Sequence, residues 1–377
     1  MKRSTFIILC LEGAVLSFNV AAAAALVPSI AGDFRVSPFI AGRIIWLYMF
    51  PYGLAALLYG PLIRFYDARN VELSCIFLFS AVNLLAGFSQ GIFTLFVSRF
   101  LAGVFGASVI PLALILLSNH IENNKRGRLV GVFFAATFVS SLAGLFFSGI
   151  LHWRMIFFIP AVLGFLLFVL MYFYLPAFRQ EKATFKINYS AALRSRPILS
   201  IFAYIFLISL FYHGIQQWLG VYLERKYNFG QFFISMLVTL TSLSGIFGEV
   251  WGGWSADIIG RLKTINIGII LMIVGVVLFL FRMPALPLVL AAVIWGLGWA
   301  VNHAGVSVSL TDLPKSFLNE SASLNSSVRF ISGGLGVALG GWFMQRGLEM
   351  GFAVFGFCLL GLLFLSKPLE HSALRVS

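Results

Sequence analysis

The chain has 377 residues, of which 60% are hydrophobic and 10% are charged, and its formal net charge is +13. A water-soluble domain needs far more polar surface, so this composition excludes an ordinary soluble protein. The charges lie between long apolar runs, each close to the roughly 20 residues that a bilayer-spanning helix requires. A transmembrane β-barrel is excluded as well, because its sequence would show short alternating segments.

Twelve apolar segments therefore predict an all-α membrane protein with twelve transmembrane helices. In chain order, these predicted spans cover residues 5–29, 39–63, 72–90, 92–118, 128–151, 154–175, 198–223, 231–256, 264–281, 285–309, 322–345 and 349–366. A cleaved secretory signal is the alternative for the first span. Its apolar run is too long for a signal and contains Glu12, so we expect a retained helix.

The spans divide into two groups of six, which predicts duplicated halves. We expect an N-terminal six-helix bundle over residues 1–175, a cytoplasmic linker over 176–197, and a C-terminal bundle over 198–377 that ends in a short cytoplasmic tail. A weak repeat supports the duplication, since Gly60–Arg69 follows the second span and Gly253–Lys263 follows the eighth.

Lys and Arg residues predict the orientation. With both termini inside, seventeen of the 26 Lys and Arg residues fall on the cytoplasmic side and seven outside, while Arg99 and Arg329 lie within spans. The positive-inside rule favours this arrangement. Anionic membrane lipid accounts for the basic loops, so we expect no nucleic-acid partner.

Nothing in the sequence predicts a cofactor, a metal site or a catalytic site. Cys10, Cys75 and Cys358 are far apart and form no CxxC pattern, so we interpret them as packing residues. No nucleotide-binding loop and no metal-ligand or catalytic-triad spacing occurs, which predicts that the protein is neither an ATP-driven pump nor an enzyme.

Several motifs make the chain resemble the major facilitator superfamily over nearly its whole length. They are the loop with Gly253, Asp257, Gly260, Arg261 and Lys263, in which Ile258 replaces an expected Arg; Arg99, Gly103 and Gly106; Trp153, Arg154 and Phe157; and Lys125–Arg128. The resemblance implies two six-helix bundles and transport by alternating access. It also implies that the Asp257 loop, with Gly253, Gly260 and Arg261, latches one conformation. Arg64 replaces the corresponding Asp in the first half.

Ionisable residues inside spans are the best candidates for coupling, because a charge in the membrane is costly. Glu12 lies in the first helix, and Asn19 lies on about the same face seven residues later. Glu12 is the candidate proton carrier; a neutral or paired Glu that only bonds a neighbouring helix is the alternative. Arg99 needs an acceptor for its charge, and Asn19 lies nearer to its level than Glu12 does. A structural or coupling role for Arg99 stands beside direct substrate binding.

Polar and aromatic residues on two later spans are candidates for lining a substrate cavity. His213, Gln216 and Gln217 share a face of the seventh span, and Trp299, Asn302 and His303 form a stripe with Trp295 on the tenth. Hydrogen bonds between helices are the alternative. Glu249 in the eighth span and Arg329 in the eleventh are expected to form a salt bridge, either as a gate or as a static pair.

We therefore expect a monomeric secondary transporter of a small organic solute in a bacterial cytoplasmic membrane. Protons are its expected coupling ion. Few acids and several His, Gln, Asn and Trp residues favour a neutral or weakly anionic, partly aromatic solute. The resemblance to twelve-span drug and sugar exporters favours export. Residues Ala143–Gly149 lack the Pro of the exporters' fifth-span element, which leaves uptake open. A transporter-derived receptor, scaffold or lipid-modifying enzyme is the remaining alternative.

Overall fold

The computed structural model describes residues 3–63, 65–120, 123–177, 189–313 and 318–365, and within these ranges all regular secondary structure is helical. A helix pairs its backbone N–H and C=O groups internally. This is required in a membrane because lipid offers them no hydrogen-bond partners. The chain forms two compact units, residues 1–186 and 187–377. The predicted limits at 175 and 198 stay a prediction, and residues 178–188 of the linker lie outside the described residues.

The first unit contains the helices that correspond to predicted spans one to six. They are α1 (Arg3–Phe34), α2 (Pro38–Ala41), α3 (Arg43–Leu62), α4 (Ala68–Gly87), α5 (Ile92–Gly106), α6 (Val109–His120), α7 (Asn123–Ser148) and α8 (Met155–Tyr174). Helix α1 packs mainly against α7 and α8, α3 packs against α5, and α4 packs against α8 and α5. Gly144 lets α7 approach α1 closely, because a Cβ there would overlap the carbonyl oxygen of Phe18.

The second unit contains the remaining helices. They are α9 (Tyr189–Arg194), α10 (Arg196–Gln216), α11 (Leu219–Tyr227), α12 (Gln231–Ile258), α13 (Arg261–Leu280), α14 (Ala285–Thr311), α15 (Leu318–Met344) and α16 (Leu348–Leu365). Helix α14 packs against α12 and α13, and α15 packs against α10. Gly336 and Gly340 of α15 face the carbonyl groups of Leu210 and Gly214 without room for a side chain. Backbone contact of this kind is typical of helix pairs in membranes.

Ten helical segments in the described part of the chain are long and apolar enough to cross a bilayer, and they coincide with predicted spans one to ten. The eleventh and twelfth predicted spans coincide with α15 and with α16, whose apolar stretch Leu348–Phe364 is shorter. The all-α membrane fold is therefore confirmed. That the last two helices also cross the membrane stays a prediction.

Three predicted spans are each divided into two helices. The second divides into α2 and α3 at Gly42. The fourth divides into α5 and α6 around Ala107 and Ser108, where the Ser108 hydroxyl donates to the Phe105 carbonyl at 2.9 Å. The seventh divides into α10 and α11 at Gln217 and Trp218. Such breaks are tolerated inside membranes where side chains satisfy the freed backbone groups.

Candidate functional site

Two glutamates are buried in the interior of the first unit. Glu12 of α1 and Glu72 of α4 are both 0% exposed. The two carboxyl groups repel each other electrostatically, and no hydrogen bond joins them. None of their four oxygen atoms has a hydrogen-bond partner among the described residues. We call Glu12 and Glu72 the carboxyl pair.

The start of α4 explains why sequence reasoning missed Glu72. Asp67 caps this helix, and its side chain accepts a hydrogen bond from the Arg69 backbone N–H at 2.9 Å. The helix therefore begins at Ala68, and Glu72 lies about one turn inside it. The predicted span began at residue 72, which placed Glu72 at a boundary. Asp67 was the available signal, since Asp is a preferred N-cap residue. Arg64, at the altered latch position, lies outside the described residues.

Arg99 is enclosed by aromatic side chains. It is 1% exposed, and its Nε donates to the carbonyl oxygen of Ile44 at 3.3 Å. The guanidinium carbon lies 4.3 Å from the centre of the Tyr48 ring and 5.6 Å from that of Phe157. A cation over aromatic faces is stabilised without an acid.

The sequence placed Asn19 nearer to the level of Arg99 than Glu12, but Asn19 forms its hydrogen bond with another residue. Asn19 of α1 is 0% exposed and its Nδ2 donates to the Oδ1 of Asn83 in α4 at 2.5 Å. Asn83 in turn donates to the Phe79 carbonyl one helical turn earlier. Asn19 thus makes a bond between α1 and α4, the alternative that the sequence left open for buried polar residues. Its role toward a solute stays a prediction.

In the second unit, aromatic rings of α10 and α14 stack. The rings of Tyr212 and Trp299 are nearly parallel, with centroids 3.8 Å apart, and Trp295 stacks on Tyr212 at 5.3 Å. His213 meets Trp299 edge-on at 5.7 Å, and its Nδ1 is 2.8 Å from the Ser209 carbonyl oxygen. His213 and Trp299 are half-buried. We call Tyr212, His213, Trp295 and Trp299 the aromatic cluster.

Amide side chains neighbour this aromatic cluster along the same two spans. Gln216 accepts a hydrogen bond from the Trp295 indole at 2.7 Å, and Asn302 donates to the Tyr204 hydroxyl and to the Ile265 carbonyl. The Oε1 of Gln217 and the Oδ1 of Asn302 are buried without a partner in the described part of the chain. Gln216 and Asn302 therefore join helices, and each predicted cavity role stays a prediction.

The predicted salt bridge between Glu249 and Arg329 is wrong, because each residue has a different partner. Glu249 of α12 pairs with His303 of α14, with 2.6 Å between Oε1 and Nδ1. Arg329 instead donates from Nε to Asn325, one turn earlier on its own helix, at 2.8 Å. The reason is packing, because α12 and α14 are in extensive contact and present Glu249 and His303 to each other.

The predicted latch loop is mostly helical. Gly253 lies inside α12 with open space around it, so no turn and no close helix approach occurs there. The turn is at Gly260, whose φ of +96° suits glycine. Arg261 pairs with Asp312 through Nε at 2.9 Å and Nη2 at 3.3 Å. Asp257 is exposed and makes no hydrogen bond to any described residue, so its latch role stays a prediction.

A third motif residue, Arg154, joins three helices of the first unit. It pairs with Asp33 near the end of α1 at 3.1 Å. It also donates to the carbonyl of Gly87, the last residue of α4, and to that of Ser89 just after it. The indole of Trp153 also donates to Asp33, at 3.0 Å. This arrangement is structural. Within the described residues, no three His, Cys, Asp or Glu side chains come together as metal ligands would.

A multi-pass helical membrane protein with two compact units, paired buried acids and a partly open aromatic cluster has the architecture of a membrane transporter. The family model described as Major Facilitator Superfamily matches residues 9–337 and, in a second match, residues 225–375. The chain therefore belongs to the major facilitator superfamily. It is a transporter of this family and not an enzyme.

Sequence relatives include exporters. The chain is 23% identical to the purine ribonucleoside efflux pump NepI of Salmonella paratyphi B, over 93% of this chain and 89% of that one. It is 25% identical to a bicyclomycin resistance protein homologue of Haemophilus influenzae, over 63% and 65%. It is also 25% identical to the multidrug transporter TPO1_1 of Candida glabrata, over 45% of this chain but only 31% of that relative.

Solved structures share the fold. A bacterial homologue of the human lysosomal transporter Spinster, inward-facing and unoccupied, superposes with a TM-score of 0.81 at 13% identity, covering 100% of this chain and 99% of that one. The nucleoside transporter NupG gives 0.75 at 15% identity, covering 97% and 100%. At these identities the likeness concerns the fold alone.

Proposed function

We propose that this protein exports a small organic solute across a bacterial cytoplasmic membrane by alternating access, in exchange for protons. The observation that carries the proposal is the carboxyl pair, Glu12 and Glu72, sealed inside the first unit. Both termini are cytoplasmic in this proposal, the basic loops face anionic lipid, and the protein works as a monomer.

The carboxyl pair is suited to exchange a proton. Two negative charges in a low-dielectric interior repel strongly, so the pair is less costly to bury when one of its carboxyl groups holds a proton. Releasing that proton leaves a buried charge, which is tolerated only when water or a cation reaches the site. Proton exchange at Glu12 is thereby tied to the conformation of the unit. Arg99 supports this coupling as a fixed charge elsewhere in the same unit.

The aromatic cluster and its amides support a role in holding the solute. Trp299 and His213 are half-buried aromatic rings, and Gln217 and Asn302 each have a buried oxygen without a partner among the described residues. Ring faces with a few directed polar groups are typical of sites for small organic molecules. The solute proposed is neutral or weakly anionic and partly aromatic. Gln216 accepts the hydrogen bond of the Trp295 indole. His303 lies beside Trp299 and pairs with Glu249.

Export is preferred to uptake because the named relatives include an efflux pump and resistance transporters. The absence of Pro from Ala143–Gly149 keeps uptake as the second candidate. The imposed gradient separates them: with protein in proteoliposomes, an outward proton gradient drives solute entry by an antiporter, whereas a symporter requires an inward one.

The experiment uses full-length protein in proteoliposomes and inosine, a purine ribonucleoside, as the probe. A thermal-shift screen of solutes supplies a replacement if inosine does not stabilise the protein. Glu12→Gln is expected to abolish gradient-driven flux and to leave inosine exchange at equal pH. Glu349→Gln is the matched control, because Glu349 is an exposed acid paired with Lys226.

Two results would contradict the proposal in different ways. Full dependence on the pH gradient in Glu12→Gln would show that Glu12 is not the coupling site. Binding of a stabilising solute without flux under any gradient would favour a transporter-derived receptor.

A further inference from the structure

A line of buried hydroxyl groups runs along one face of α3. Tyr48, Tyr52 and Tyr59 are spaced by four and seven residues, which places them on the same side of a helix. Tyr48 and Tyr52 are each 1% exposed and Tyr59 is 7% exposed. We call these three residues the tyrosine row.

One end of the tyrosine row leads to the carboxyl pair. The Tyr59 hydroxyl is 3.4 Å from the sulfur of Cys75 in α4, which donates to it, and itself donates to the Val104 carbonyl at 2.9 Å. Cys75 lies three residues after Glu72 on α4, and both side chains are buried on the same face of that helix. Helices α1, α3 and α4 therefore place a hydroxyl, a thiol and two carboxyl groups one after another.

The other end of the tyrosine row leads to Arg99. Tyr59 interacts electrostatically with Tyr52, and the Tyr52 and Tyr48 rings have centroids 5.7 Å apart. The Tyr48 ring lies under the Arg99 guanidinium. The Tyr48 hydroxyl and the Arg99 Nη1 are both buried without a hydrogen-bond partner among the described residues.

The hydroxyl groups are informative because Phe would fill the same space without them. This chain has 41 Phe and 11 Tyr residues, so an apolar aromatic is its usual filling. A buried hydroxyl costs free energy unless it is bonded. The Tyr48 hydroxyl has no hydrogen-bond partner among the described residues, so its presence indicates more than packing.

We propose that protons reach and leave the carboxyl pair along the tyrosine row and Cys75. This inference rests on the proposed function of the pair. A hydroxyl both donates and accepts, so each group takes a proton on its oxygen or sulfur and passes its own proton to the next, with water molecules bridging the gaps between hydroxyls. No atom is oxidised or reduced, and each group regains one proton when the next arrives. The fixed charge of Arg99 opposes a proton at its end and so favours one at the carboxyl pair.

A competing route would run along α1. Thr5 lies seven residues before Glu12, on about the same face, and is 1% exposed. Its hydroxyl has no hydrogen-bond partner in the described part of the chain. A proton entering past Thr5 would need neither Tyr59 nor Cys75, so the two routes are separable by substitution.

The test follows protonation of the carboxyl pair directly, with the proton as the probe. Purified full-length protein is given a pH jump, and the carboxyl C=O band is followed by time-resolved infrared difference spectroscopy. The band is assigned by its loss in Glu12→Gln and Glu72→Gln. Tyr52→Phe, Tyr59→Phe and Cys75→Ala are each expected to slow its change at least about tenfold, the scale of removing one proton-transfer group.

Two controls keep the result specific. Tyr222→Phe removes a buried hydroxyl of the second unit that donates to the Phe279 carbonyl at 2.7 Å, and it should leave the rate unchanged. Thr5→Val should also leave it unchanged. A slowed rate in Thr5→Val with a normal rate in Tyr59→Phe would overturn the tyrosine row in favour of the α1 route.

The outcomes distinguish this inference from the proposed function. If the band appears and keeps its wild-type rate in Tyr52→Phe and Tyr59→Phe, the tyrosine row is not the path, while the pair still exchanges protons. If neither Glu12→Gln nor Glu72→Gln removes any band, the pair takes no proton and both ideas fail.

Discussion

The two units differ in the surroundings of their candidate functional groups. In the first, Glu12, Glu72 and Arg99 are at most 1% exposed. In the second, the side chains of His303 and Glu249 are 32% and 45% exposed. Sealed acids can exchange protons but leave little room for a larger molecule, whereas partly open rings and polar groups can touch one. The contrast supports a division of labour in which the first unit carries protons and the second holds the solute.

The two glutamates that best illustrate this difference have different neighbours. Glu72 faces another acid, Glu12, and its oxygens have no hydrogen-bond partner among the described residues. Glu249 instead lies beside His303, whose side chain is a base. An acid beside an acid is stable when it holds a proton, while an acid beside a histidine is stabilised by a charged or hydrogen-bonded partner. Exchanging protons is therefore assigned to the first pair.

The largest expected effect comes from Glu72→Gln. We expect proton-driven inosine flux in proteoliposomes to fall about 100-fold, the scale of losing a proton-transfer group. Because the pair acts as one unit, the Glu12→Gln, Glu72→Gln double variant should be no worse than either single variant. Effects that multiply in the double variant would mean that the two acids work separately.

Trp299→Ala tests the other side of the comparison. Removing the ring stacked on Tyr212 should weaken solute binding about tenfold, as expected for an aromatic contact worth somewhat over 1 kcal/mol. Equilibrium binding to purified protein measures this, and the proton dependence of flux should be retained. Trp254→Ala is the matched control, since Trp254 is 60% exposed on α12. Equal losses in both variants would argue against the aromatic cluster.

Asn19→Ala separates structure from solute binding inside the first unit. Loss of its bond to Asn83 should destabilise the protein by about 1 kcal/mol, typical of hydrogen bonds between membrane helices. Thermal unfolding in detergent reports the change. Solute affinity should stay at the wild-type value; a clear loss of affinity with unchanged stability would make Asn19 a ligand after all.

The smallest effect is expected for Arg261→Ala. Its pair with Asp312 is exposed, with side chains 41% and 42% open, so its loss should change stability by less than about 1 kcal/mol. Salt should reduce even that difference. A large loss of flux with normal stability would instead give Arg261 the conformational role that the family motif implies.

The fold was predictable because the membrane allows little else. Long apolar runs must be helical, and their positions were correct within a few residues for the first ten spans. The partners of buried polar groups were not predictable, since they depend on which helices touch and in what rotation. Glu249 illustrates this, because its pairing with His303 follows from the contact between α12 and α14. Glu72 was missed for a local reason, the cap at Asp67 that moves the helix start.

The central claim is that the carboxyl pair carries the exchanged proton. It is tested most directly by recording internal pH with a fluorescent indicator while inosine, or the solute that stabilises the protein, enters proteoliposomes at an initially equal pH. Wild-type protein should release protons from the lumen as solute enters, whereas Glu12→Gln and Glu72→Gln should move solute without any change in internal pH. Proton release by both variants in proportion to solute entry, as in wild type, would contradict the account.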